Sequence, residues 1–144
     1  MQEKGFEINN NILHFVHNSS DYLINLDLLE TMSLFQDQVV FVENGKIKSV
    51  PSSIFNITEL AVKILKNFNF MVCGSNHVVN LGLVQSAHII RQNDERGLLN
   101  KYNIVLIFNN RTKKEITFNS WREAERFYHK IDNKLIEIKS NKTL

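Results

Sequence analysis

The dipeptide Asn44-Gly45 separates the apolar run Val39-Val40-Phe41-Val42 from Ile47-Lys48-Ser49-Val50. A type I′ turn needs positive φ at both central residues, and Asn and Gly tolerate that conformation best. Two runs joined in this way are antiparallel neighbours, so one β-hairpin is specified locally. Pro51 has no N–H to offer a ladder and stops the returning strand. It is the only proline in the chain. With five glycines, no repeat of fixed period and no Pro- or Ser-rich linker, the remainder reads as continuous structure with short turns.

Other segments follow the strand pattern: Ile12, Phe15 and Val16 in one run, Tyr22 to Asp27, Phe70 to Cys73, His77 to Leu81, Val84 to Arg91, Tyr102 to Phe108 and Lys113 to Phe118. Gly74-Ser75-Asn76 breaks one pair of runs and Asn109-Asn110 turns another back. The polar stretch Gln92 to Gly97 reads as a mobile loop. Two segments have helical spacing. Asn56 with Glu59 makes a variant capping box ahead of an apolar stripe at Leu60, Ala61, Ile64, Leu65 and Phe68, leaving Lys63, Lys66 and Asn67 outside. Ser120-Trp121-Arg122-Glu123 is a second box, continued by Ala124, Phe127, Tyr128, Ile131 and Leu135. Connections this short cannot hold repeated crossover helices. The class is therefore mostly β (α+β), with small antiparallel sheets, one helix mid-chain and one C-terminal helix.

A chain of 144 residues, 43% apolar and 22% charged, is expected to fold as a single domain spanning 1–144, with its core at about 12–138 and flexible ends. No run approaches the length of a spanning helix, and the acid- and Asn-containing N-terminus lacks an apolar signal region. The expected location is cytoplasmic, without membrane contact. The single cysteine, Cys73, forms no internal disulfide and reads as a partly buried strand residue. No Gly-rich phosphate loop, nucleophile elbow or zincin motif occurs, and the five histidines lack metal-ligand spacing. His77 is the histidine near Cys73, but Gly74 interrupts the strand between them. No enzyme, metal or cofactor is expected.

The net charge of +2 conceals an uneven distribution. Residues 1–90 hold five lysines against eight acids, a net of −3, and residues 91–144 hold twelve basic residues against seven acids, a net of +5. The basic excess includes Arg111, Lys113 and Lys114 at the expected hairpin, and Arg122, Arg126 and Lys130 on the last helix. Clusters of this kind supply phosphate contacts, although a charge run is equally a solvated face.

The stretch Phe70-Met71-Val72-Cys73-Gly74-Ser75-Asn76-His77-Val78-Val79-Asn80-Leu81 resembles the signature of LytTR-type DNA-binding domains, in which a Phe opens one strand and a Val-Asn pair closes the next. Upstream, Tyr22 to Glu30 is similar to the family's apolar strand and Ile-x-x-Ile-Glu segment, and the Asn56 to Phe68 helix holds the family's helix position. Downstream, Leu83-Val84, Ile104 to Phe108 and Lys114 to Phe118 follow the family's order. The resemblance covers roughly residues 12–131. It implies an elongated arrangement of small antiparallel sheets whose loops enter successive major grooves of duplex DNA, in a transcription regulator that stands alone or receives its signal from a partner protein.

Carried over by position, the family's His-Arg/Asn-Ser motif falls on Gly74-Ser75-Asn76. The imidazole is absent there, Ser75 replaces a basic or amide residue, and Asn76 keeps the capacity to bond a base edge or a phosphate. The family's earlier contact loop falls on Ser33 to Gln38, where Gln36 can read adenine bidentately and Asp37 repels phosphate. Its Ser-Arg near the last helix falls on Ser120 and Arg122. The implied DNA-binding set is Gln36, Ser75, Asn76, Arg111, Lys113 and Arg122. Two alternatives stay open. Gly74 and Asn76 serve equally to make a turn, with Arg122 paired to Glu123 or Glu125. The same fold also serves as a protein-interaction or dimerisation module that has given up DNA.

Overall fold

The computed structural model describes residues 5–93 and 100–142. Contacts divide the chain into two compact units, residues 1–72 with 76–80, and residues 73–75 with 81–144.

The first unit is built on tight turns between short strands. Strands β1 (Glu7–Asn9), β2 (Ile12–His17) and β3 (Ser20–Asn25) form one antiparallel meander. Strands β4 (Leu29–Leu34), β5 (Gln38–Glu43) and β6 (Lys46–Pro51) join β7 (Phe70–Cys73) and β8 (His77–Asn80) in a second sheet of order β6-β5-β4-β8-β7. The Asn44-Gly45 hairpin forms as expected, with Glu43 opposite Lys46 and φ of 49° and 81° in the turn. Two further turns follow the same rule without glycine. Asn10-Asn11 (52°, 64°) joins β1 to β2 and Asn18-Ser19 (51°, 62°) joins β2 to β3.

Alternation along β2 and β5 points Leu13, Phe15, Val39 and Phe41 inward. The Phe15 ring stacks on Phe41 at 5.9 Å between centroids and meets the edge of Phe55 at 4.9 Å. Phe55 lies between a 3-10 turn at Ser52–Ile54 and helix α1 (Ile57–Leu65), which adds Leu60 and Ile64 to the same core. Asn56 caps α1 by accepting from the Glu59 N–H, and Glu59 pairs with Lys63 one turn on. The expected stripe is one residue too long. The helix ends before Phe68, which is 48% exposed, because the chain leaves the helical path after Lys66.

Strand β4 differs most from the sequence pattern. Its residues Leu29 to Ser33 are all buried, although Glu30, Thr31 and Ser33 are polar and break any apolar run. It lies between β5 and β8, so both of its edges are paired.

In the second unit, β9 (Val84–Asn93), β10 (Asn100–Phe108) and β11 (Lys113–Phe118) form a three-stranded antiparallel sheet of order β11-β10-β9. Gln92 and Asn93, expected in a loop, continue β9 because they pair with Lys101 and Asn100; Asp94 to Gly97 lie outside the described residues. Helix α2 (Trp121–Lys142) starts at a Ser120 cap whose Oγ accepts from the Glu123 N–H at 3.4 Å. It packs Ala124, Ile131, Leu135 and Ile138 inward, with Phe127 stacked on Phe118 and the Tyr128 hydroxyl donating to the Ala87 carbonyl at 3.4 Å. The arrangement agrees with the expected class of small antiparallel sheets with one mid-chain and one C-terminal helix.

Candidate nucleic-acid interface

In the first unit the expected contact loop is shorter than Ser33 to Gln38. Ser33 and Leu34 end β4 and Gln38 opens β5, leaving Phe35-Gln36-Asp37 as the turn, closed by the Phe35 N–H on the Gln38 carbonyl at 2.9 Å. Its backbone is pinned from the β6 side. The Ser52 hydroxyl donates to the Gln36 carbonyl at 2.8 Å, the Ser52 N–H donates to the Asp37 carbonyl at 3.2 Å, and the Ser49 hydroxyl donates to Gln38 Oε1 at 2.6 Å. Gln36 and Asp37 are exposed, and among the described residues the Gln36 amide has no side-chain partner.

Asn76 is drawn to this loop by its backbone. Its carbonyl accepts from the Leu34 N–H at 2.8 Å, two residues from Gln36. The next residue, His77, shares a 2.8 Å hydrogen bond between Nδ1 and Ser33 Oγ and meets the half-exposed Phe35 ring edge-on at 6.3 Å. An imidazole absent from the motif position at Gly74 is thus present three residues on, facing the loop. The cross-strand pairing of Ser33 with His77 produces it, and that pairing joins residues too far apart in the chain for local pattern to reveal. Gly74 adopts φ of 74°, so it makes the turn the sequence requires there, and Ser75 is exposed beside it.

Two residues of the resemblance have structural employment. Asn80, of the Val-Asn pair, is buried and its amide donates to the Leu26 carbonyl at 3.2 Å. Glu30 is 2% exposed and accepts the Gly45 N–H at 2.8 Å, tying the β5–β6 turn to β4.

In the second unit Arg111 occupies the left-handed position of the β10–β11 loop, φ 72°, with its N–H on the Phe108 carbonyl at 2.8 Å. Lys113 opens β11 opposite Ile107. Arg122 lies in the first turn of α2, beyond the other end of β11. Five strand steps between Lys113 and Phe118 amount to about 17 Å, so Arg111 and Lys113 form one group and Arg122 lies apart from them. Glu125 pairs with His129 at 3.6 Å, and among the described residues Arg122 has no carboxylate partner. Lys114 is half-buried on the strand face it shares with Ile116 and Phe118, and burial holds its pKa below the usual lysine range.

Cys73 is fully buried, and burial pushes its thiol up to about 12, which keeps it protonated and unreactive. Among the described residues no three His, Cys, Asp or Glu side chains gather as a metal ion would require, and no helix is long and apolar enough to cross a membrane.

No protein-family model and no curated protein matches the chain. Among solved structures it is similar to a LytTr DNA-binding domain from Bacillus cereus, with a TM-score of 0.54 and 10% sequence identity, over 85% of this chain and 97% of that one. The chain has the fold of a LytTR-type DNA-binding domain.

Proposed function

We propose that the chain binds duplex DNA in a sequence-specific manner and works as a transcription regulator in the cytoplasm. The observation that carries the reading is the shared fold over nearly the whole length of a structure described as a DNA-binding domain. The local geometry supports it. A pinned turn carries the exposed Gln36, and Asn76 is bonded through its carbonyl to Leu34 at the end of the strand leading into that turn; amides of this kind pair bidentately with adenine in the major groove. Arg111, Lys113 and Arg122 are exposed cations suited to phosphate, which positions a protein on DNA without reading sequence.

Anisotropy titration of a labelled duplex pool at low salt tests the function. Lys113→Ala with Arg122→Ala lowers the slope of log affinity against log salt by about 1.8 for two lost phosphate contacts, while Gln36→Ala leaves the slope alone and alters which sequences are selected. Undiminished binding by the double variant rejects these cations as contacts. Absence of wild-type binding at low salt rejects the function.

A dimerisation module is the second reading, favoured by Ile47, which is 72% exposed on the edge strand β6, and by the exposed Asp37 at the turn. Light scattering that shows a dimer, together with no duplex binding, selects it.

A further inference from the structure

Along α2 the cations Arg122, Arg126 and Lys130 recur every fourth residue and are all exposed. At 100° per residue they trace one ridge that starts at the solvent side and winds toward Phe127. The Arg126 guanidinium sits 5.4 Å and the Lys130 ammonium 5.5 Å from the Phe127 ring centre, and that ring is itself stacked on Phe118 at 5.4 Å. Both cations are therefore held against a fixed aromatic platform. Among the described residues none of the three has a carboxylate partner, and Glu125 is turned to His129 on the other flank. The same helical arithmetic puts Glu123 and Glu137 on the flank with the ridge.

This arrangement works against the helix. Like charges four residues apart repel, and Arg122 lies in the first turn, where the backbone dipole disfavours a cation. The charges lie outside the buried face of α2, which is made by Ala124, Ile131, Leu135 and Ile138. The ridge spans about 12 Å from Arg122 to Lys130. Duplex DNA carries one phosphate charge per about 1.7 Å of its axis, so a row of this length meets several.

We propose that the Arg122-Arg126-Lys130 ridge of α2 is a phosphate-backbone track for duplex DNA, separate from the turns that meet the base edges. It rests on the DNA-binding reading and extends the Arg122 contact that the family resemblance implies along the helix to two further cations, Arg126 and Lys130. Phe127 holds Arg126 and Lys130 in place, so less side-chain freedom is lost when a phosphate is engaged.

The test compares the wild type with three double variants on a mixed-sequence fluorescent duplex of about 24 base pairs, between roughly 50 and 200 mM KCl. For Arg126→Gln with Lys130→Gln, the salt slope falls by about 1.8, so the ratio of wild-type to variant affinity shrinks about tenfold across that range. Arg126→Lys with Lys130→Arg retains the slope, because a phosphate takes either cation. Lys63→Gln with Lys66→Gln, which removes two positive charges from α1, also retains it. A slope unchanged by the glutamines, or lowered equally by the α1 pair, overturns the track while duplex binding by the wild type stands. A wild type that binds no duplex overturns the DNA reading and the track together.

Discussion

Glu30 is the residue whose replacement tests the packing logic most directly. It sits where the β4–β5 register shifts between Leu29 and Thr31, is 2% exposed, and receives the Gly45 N–H at 2.8 Å. The neighbouring Asn44 N–H is taken by the Leu28 carbonyl at 3.1 Å, so both turn residues are tied back to the chain around β4. In Glu30→Ala the hydrogen bond to a charged acceptor is lost, about 1.5–3 kcal/mol, and with it the buried Cγ methylene, about 0.8 kcal/mol. The expected destabilisation is about 2–4 kcal/mol. Glu30→Gln keeps the volume and a carbonyl acceptor and forfeits only the charge assistance, about 1 kcal/mol. Urea denaturation separates the two. With a slope of about 2 kcal/mol/M, the alanine variant shifts the midpoint by about 1–2 M and the glutamine variant by about 0.5 M. Hydrogen exchange gives an independent readout, since protection of the Gly45 amide disappears with alanine and survives with glutamine. If both substitutions stay within about 0.5 kcal/mol of the wild type, a typical result for a site without such ties, Glu30 does not hold the turn.

Ser19 has φ of 62° in the Asn18-Ser19 turn, a conformation that penalises a Cβ, so Ser19→Gly raises the midpoint of urea denaturation by the equivalent of about 0.5–1 kcal/mol; a fall would show that the turn is not of this type. Cys73 is fully buried with its thiol pushed up to about 12 from 9.0, so a disulfide reagent at neutral pH labels it only in the denatured protein, and rapid labelling of the native state refutes the burial. The folded state binds the thiol proton more tightly than the unfolded state, hence stability from this group is complete below pH 9.0 and is lost as pH rises from there toward 12. Cys73→Ala removes that part of the alkaline decline.

What local pattern could and could not reveal follows from the range of the interactions involved. The Asn44-Gly45 hairpin, the Asn56 cap and the Ser120 cap are decided within a few residues, and each appears where its residues place it. Asn10-Asn11 and Asn18-Ser19 use the same left-handed turn as Asn44-Gly45 but lack its glycine, so the three strands they join carry a weaker local signal. Strand β4 is invisible to periodicity because polar residues are buried along it, two of them satisfied by distant partners, Glu30 by Gly45 and Ser33 by His77, while the buried Thr31 hydroxyl has no partner among the described residues. The position of His77 beside Phe35 is equally non-local, since it depends on the register of β4 against β8. The basic residues of the second unit are close in sequence order, yet β11 extends between Lys113 and Phe118 and separates the hairpin tip from the start of α2.

The division of charge along the chain coincides with the division into units. All charges before residue 91 lie at or before Lys66, within the first unit, which carries −3; the second unit carries the remaining +5. The first unit therefore cannot draw phosphate by its net charge, and Asp37 at its exposed turn opposes it. Its polar candidates are amides, Gln36 and Asn76, which are neutral and suited to the donor and acceptor pattern of a base edge. The second unit has the opposite character, with its exposed cations at the hairpin tip and along α2. On the DNA reading, affinity and its salt dependence arise from the second unit and sequence choice from the first. A regulator built in this way loses discrimination without losing its salt slope when the amides are removed, and loses its salt slope without changing its preference when the cations are removed. The net charge of +2 is then the sum of two units of opposite sign, −3 and +5, which on the DNA reading serve base choice and phosphate attraction respectively.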